Sequence, residues 1–415
     1  MPREFPPSLE ILRQLVGFRT DSVTPEGRAG MEQTIQYIRN LVQEWSLGDI
    51  SVQDFEVDGA THHNLFIDVG KPGQSEKKEC GIWHGHLDIA SVWDLYKGTG
   101  REPTHFQQAS SPHLYYGCGT ADMKSGVTAF LVGLRGLPEI LSRTRRWIRV
   151  ALVDLEEDES QGTYAAREHL DMGQWGISTD IPVKGTLDDP PAVYHARPGR
   201  AVFDVTIHGK SIHMGAIDPQ DPELLPPRME TASATIRGIH LETHPTHPPG
   251  FMPPTIVFPK GFQMLEPPGM NSPPIGKICV EVIYTNPSLD LAEIEAQIRE
   301  QLARALTGGF FVQLRKSRQF PYIKPWYEDP RHPFVQAAVD VASAVHGTPV
   351  QRRSCKGTAD EPILAHRGIP MVTYPPCATG EHTENEQIDI RSIPPMVSFL
   401  HGMAATERNL VDWEP

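Results

Sequence analysis

The sequence has little cysteine, no long apolar run and no surplus of positive charge, and each shortage bears on a class of function. Its five cysteines, Cys80, Cys118, Cys279, Cys355 and Cys377, are isolated, odd in number and never spaced as CxxC. Neither a disulfide framework nor a zinc knuckle is predicted, and a reducing, cytoplasmic setting fits best. No stretch approaches the roughly 18 apolar residues that cross a bilayer, and Met1-Pro-Arg-Glu-Phe-Pro-Pro has no apolar secretory core. Lys and Arg number 38 against 52 Asp and Glu, a formal charge of -14. That balance argues against nucleic-acid phosphate or an anionic membrane as partner. Internal repeats and low-complexity tracts are also missing.

What the chain does contain is alternating texture. Ile11, Leu12, Leu15 and Val16, then Met31, Ile35, Ile38, Leu41, Val42 and Trp45, recur at three- and four-residue spacing and predict two amphipathic helices. Short apolar segments at 64–69, 81–83 and 147–155, with a helical stretch over 123–137, predict an α/β domain with a largely parallel sheet. From Gly199 the period changes to two, with Phe203, Val205 and Ile207 alternating against Asp204, Thr206 and His208. Further on, 227–240 and 289–306 read as helices and 278–284 as a strand, whereas the proline-dense 245–274 reads as a loop. The α/β texture returns with a helix over 333–345, a strand over 371–374 and a helix over 394–406. The predicted organisation is therefore 1–198 and 319–415 as one domain, interrupted by 199–318.

Chemistry-bearing residues fall at the ends of predicted strands, where ligands gather in open α/β sheets. His86 and Asp88 follow one strand, Asp122 opens a helix, and Glu156 and Glu157 end another strand. Imidazole and carboxylate are the ligands of a hydrolytic zinc site, and one carboxylate can bridge two ions. His86, Asp122, Glu157, Asp189 and His382 are the candidates. Asp88 is placed to orient the His86 ring, and of Glu156 and Glu157 one can bind metal while the other takes a proton. Taken singly, each residue reads more readily as a turn or strand-end group.

Five segments in order resemble one family, the dinuclear zinc amidohydrolases and exopeptidases that include acetylornithine deacetylase, succinyl-diaminopimelate desuccinylase, aminoacylase and carboxypeptidase G. They are His86-Leu87-Asp88, Gly117-Cys118-Gly119-Thr120-Ala121-Asp122-Met123-Lys124, Glu156-Glu157 with Gly162, Asp189-Pro190-Pro191, and His382-Thr383-Glu384-Asn385-Glu386. The resemblance implies a catalytic α/β domain carrying a smaller inserted α+β lid that makes a homodimer. It implies two zinc ions, with cobalt or manganese also accommodated, bridged by Asp122. His86 and Asp189 would complete one site, Glu157 and His382 the other. A water between the ions would lose its proton to Glu156, and His213 would reach a neighbouring subunit's active site to stabilise the oxyanion.

The implied substrate is a small N-acyl amino acid, cleaved at its amide. A dipeptidase or carboxypeptidase is the alternative, and a non-catalytic binding protein retaining the fold is the rival from another class. Departures from the family pattern concern substrate. Cys118 stands where Arg is common, Tyr284 where many relatives carry Arg, and the segment 357–362 lacks a further Arg. Arg197, Asn271 and Lys356, with Arg200, are the remaining candidates to hold a substrate carboxylate.

Overall fold

The computed structural model describes residues 7–73, 78–181, 191–242, 255–265, 269–314, 322–408 and 410. The chain divides into two compact units, Met1–Ala196 with Tyr327–Pro415, and Arg197–Trp326.

The first unit is built on an eight-stranded sheet. Its order is Asp49–Val57, Ala60–Val69, Arg146–Val153, Glu79–His86, Trp175–Ser178, Met371–Thr373, Ala192–Tyr194 and Gln351–Arg353. Glu79–His86 runs parallel to both neighbours, Trp175–Ser178 to Met371–Thr373, and Ala192–Tyr194 to Gln351–Arg353; the other pairings are antiparallel. The mostly parallel centre is covered on its faces, so Arg146–Val153 is buried along its whole length. Arg149 enters that interior because its guanidinium meets the Asp68 carboxylate across the ladder at 2.6 and 2.7 Å. The helix Pro25–Glu44 starts on Thr24, whose hydroxyl accepts from Gly27 N at 3.0 Å, and buries Met31, Ile35, Ile38 and Val42. The helix Lys124–Leu134 buries Val127, Phe130, Leu131 and Leu134 completely. Each such side chain contributes about 1.5–3 kcal/mol over exposure.

A four-stranded antiparallel sheet matters more to function than its size suggests. It orders Ala378–Thr379, Gln387–Asp389, Leu114–Tyr116 and Gln107–Gln108. The first two strands close a hairpin whose loop is 380–386, and Leu114–Tyr116 leads directly into 117–122.

The second unit carries the period-two segment as Gly199–His208, centred in a sheet ordered Ile256–Met264, Ile275–Tyr284, Gly199–His208 and Phe310–Leu314. Phe203, Val205, Ile207, Val280 and Val282 pack against Ile294, Ile298 and Leu302 of Leu291–Ala305 and Ile236 of Leu225–Arg237. Two readings need correction. The segment 245–274 is not all loop: Ile256–Met264 is a strand, and its Pro259 is tolerated at the sheet edge beside a register shift between Pro259 and Gly261. The apolar segment at 64–69 is the end of a longer hairpin, Asp49–Val57 with Ala60–Val69, turned by Asp58 and Gly59 at φ 52° and 77°. No described helix is long and apolar enough to cross a membrane.

Candidate active site

His86 is the last residue of a central parallel strand, and its ring is fixed on both sides. Nδ1 donates to the Asp88 carbonyl oxygen at 3.0 Å, which leaves Nε2 facing Asp122 Oδ1 at 2.9 Å. The other Asp122 oxygen lies 3.2 Å from His382 Nε2, and that same nitrogen lies 2.9 Å from Glu157 Oε1. The structure therefore joins His86, Asp122, His382 and Glu157 in one chain of facing imidazoles and carboxylates. Ligand atoms of His86, Asp122 and Glu157 all lie within 4.8 Å of one another.

Each ring turns Nε2 toward carboxylate oxygens and so holds its proton more tightly, and the titration behaviour follows. Burial alone would lower His86, but Asp122 and Asp88 outweigh it and hold the ring well above the ordinary histidine value. His382 is likewise lowered by burial and raised more strongly by Asp122 and Glu157, to about 12. Burial raises Asp122, yet the two histidines win and its carboxyl falls below the usual range. A divalent cation satisfies the same lone pairs as those protons, and two imidazoles around a shared carboxylate form a nitrogen and oxygen donor set suited to zinc, cobalt or manganese. The residues fit the group.

Asp88 supports the next segment. Its carboxylate accepts from Glu156 N and Glu157 N, both at 3.1 Å, fixing the turn that aims one glutamate at the cluster. Burial pushes the Glu156 carboxyl well above its usual value, and the charge of Asp360 adds to the shift. A carboxylate raised this way is a stronger proton acceptor.

Glu386 joins the two halves of the cluster. It is buried, and it accepts from Gly119 N at 2.8 Å, Ala121 N at 2.8 Å and Asp122 N at 3.0 Å. Burial pushes its carboxyl up to about 8 against the pull of those amides. The loop bearing His382 is thus tied to the loop bearing Asp122. Arg101 adds a second tie, with its guanidinium 4.1 Å over the Tyr116 ring and donating to Glu384 O at 2.9 Å. Gly380, at φ 78°, lets the hairpin close, since a Cβ there would lie 2.6 Å from Asn385 O.

The remaining sequence candidates are distributed differently. Asp189 lies outside the described residues. His213 belongs to the second unit, exposed, with Nδ1 accepting from Gly215 N and its backbone bridged to Asn271. Arg197 is fully buried in that unit, while Lys356 is exposed in the first. Arg200 is taken up by Glu281 at 2.6 Å, and Tyr284 is buried in the core of the second unit. Sequence reasoning quoted Glu386 within a motif but assigned it no role, and it passed over Arg101 and Asn64. Their partners are backbone groups far along the chain, which leave no local spacing to read.

Comparison with known proteins supplies the family and the fold. The model of peptidase family M20/M25/M40 matches residues 84–406. Succinyl-diaminopimelate desuccinylase of Helicobacter hepaticus is 21% identical over 400 residues, covering 93% of each chain. Among solved structures, the dipeptidase Dug1p of Saccharomyces cerevisiae superposes with a TM-score of 0.74 at 12% identity, over 96% of this chain and 95% of that one. The Bacillus subtilis protein YXEP, a dinuclear metal-binding peptidase, gives 0.62 at 13% identity over 96% of each chain. Matched from the strand that carries His86 to beyond the loop that carries His382, this chain belongs to peptidase family M20/M25/M40, as a metal-dependent hydrolase of the amidohydrolase and peptidase type.

Proposed function

We propose that this protein hydrolyses the amide bond of an N-acyl amino acid with two zinc ions held at the Asp122 cluster, acting in the cytoplasm as a homodimer built through the inserted unit. The observation that carries the reading is the double use of Asp122, one oxygen toward His86 and the other toward His382 and Glu157. Asp189 is assigned to the His86 side.

Bound there, a pair of divalent ions supplies Lewis acidity toward a carbonyl oxygen and toward water. Glu156, raised by burial and fixed by the Asp88 brace, accepts the proton of the attacking water and returns it to the departing amine. Asp88 holds the His86 ring through its carbonyl oxygen and both glutamate amides through its carboxylate, so one residue orients a ligand and the base together. His213 is assigned to the oxyanion of the tetrahedral intermediate, and Arg197, Asn271 and Lys356 to the substrate carboxylate.

The test is turnover by zinc-loaded protein across N-acetyl, N-succinyl and N-carbamoyl amino acids and dipeptides, beside Glu156→Gln. Loss of about 10²–10⁴-fold in the variant at unchanged metal content is the expected result. Preferential turnover of dipeptides would move the reading to a dipeptidase. Activity surviving Glu156→Gln would remove the assigned base.

A further inference from the structure

The segment that carries Glu156 and Glu157 is bent in a way its own residues disfavour. Between Asp154 and Gly162 the chain leaves a buried strand and returns as a helix, and Leu155, Glu159 and Ser160 lie at φ 56°, 66° and 59°. This left-handed region is costly for side chains that carry a Cβ. The bend closes on itself through Ser160 N to Glu156 O at 3.0 Å and Gln161 N to Leu155 O at 2.9 Å. Its two ends touch, because a Cβ on Gly162 would lie 1.9 Å from Asp154 O.

One side chain spans that junction. Asn64, fully buried in Ala60–Val69, accepts from Asp154 N through Oδ1 at 3.0 Å and donates through Nδ2 to Gly162 O at 2.9 Å. A further donation to Gln53 Oε1 at 3.1 Å fixes which way the amide faces. Closing the bend needs an acceptor and a donor on one short planar group. A primary amide meets that need, whereas a carboxylate would turn an oxygen against the Gly162 carbonyl.

We propose that Asn64 is a positioning residue of the active site, a clamp that holds the bend shut so that Glu156 and Glu157 present their carboxyl groups in fixed directions. The inference rests on the assignment of those glutamates as base and ligand. Asp88 secures the amide groups of the two glutamates, and Asn64 secures the ends of the bend that contains them.

Asn64→Asp preserves shape but replaces the donor that serves Gly162 O and Gln53 Oε1 with an acceptor. The expected result is a fall in kcat of about 10²-fold, the scale of a small misplacement of reacting groups, with KM within about threefold. Thr61→Ala, at an exposed position of the same strand where the side chain donates to Glu56, leaves the clamp in place and is expected to keep kcat within about twofold. Hydrogen exchange of the metal-free protein supplies the second readout: amides of 154–162 should exchange faster in Asn64→Asp while those of 79–86 keep the wild-type rate. Unchanged kcat overturns the proposal. So does exchange accelerated equally across the whole sheet, which would mark Asn64 as an ordinary stability residue. Should the wild type turn over no amide, the assignment of Glu156 fails, and exchange alone decides the clamp.

Discussion

His86 and His382 both turn Nε2 toward Asp122, yet different kinds of structure hold them. The His86 side chain is 2% exposed, ends a central strand and is locked by Asp88, whereas the His382 side chain is 50% exposed on a hairpin loop at φ 58°. The first cannot move without disturbing the sheet. The second can leave by local opening of a few residues, the least protected kind of motion in a folded chain. In the proposed two-ion site one ion would rest on the core side and the other on the loop side, and the loop side would govern exchange.

The largest effect that would break this comparison comes from removing each ring in turn. His86→Ala is expected to lose both ions, since Asp122 then has no fixed partner, while His382→Ala retains about one ion per chain with a metal affinity lowered by several kcal/mol on the other side. Metal analysis after gel filtration reads the difference, and equal loss in both variants would end the distinction. Next is Glu386→Gln, which returns one amide to the 119–122 loop as a poor partner. Metal affinity should fall about 10–100-fold, the usual cost of removing a supporting partner behind the ligands, with faster hydrogen exchange at 119–122.

The pH dependence sharpens the comparison further. Both rings are raised by their carboxylates in the metal-free protein, His382 to about 12. His382 stays protonated through neutral pH and His86 holds its proton more tightly than an ordinary histidine, so metal must compete with those protons. Apparent metal affinity should therefore rise with pH, by about tenfold per unit for each proton released. Titration calorimetry in buffers of different ionisation heat counts the protons, and affinity independent of pH from 6 to 8 would contradict the proton-held contacts. The smallest effect is expected from Arg101→Ala, which frees one tie of the His382 loop. Metal exchange on that side should quicken by about two- to fivefold, the scale of one surface hydrogen bond.

The sequence made the α/β texture and the grouping of His86, Asp122, Glu157 and His382 legible because each sits in a short motif of fixed order. The hairpin strand Asp49–Val57 was not legible, since neither face is fully buried and its alternation changes phase at Ser51 and Val52. Ile256–Met264 was hidden by Pro259, which reads as a breaker until its edge position is known. Asn64 and Glu386 were hidden for another reason. Each acts on backbone groups, Asn64 across 90 and 98 residues and Glu386 across 264 to 267, and a peptide N–H carries no residue identity. Only folded coordinates show which main-chain groups a buried amide or carboxylate meets.

The four-stranded sheet that joins 114–116 to 387–389 also sets a timetable. Strand pairing across so long a separation closes only after the intervening chain, second unit included, has been made and compacted. Growing from its N-terminus, the polypeptide can shape His86, Asp122 and Glu157 early, yet it lacks His382 and the Glu386 tie until residues 380–389 have been made. The metal centre proposed around Asp122 is thus a late product of biogenesis, which delays hydrolytic competence until both strands of that small sheet have been made.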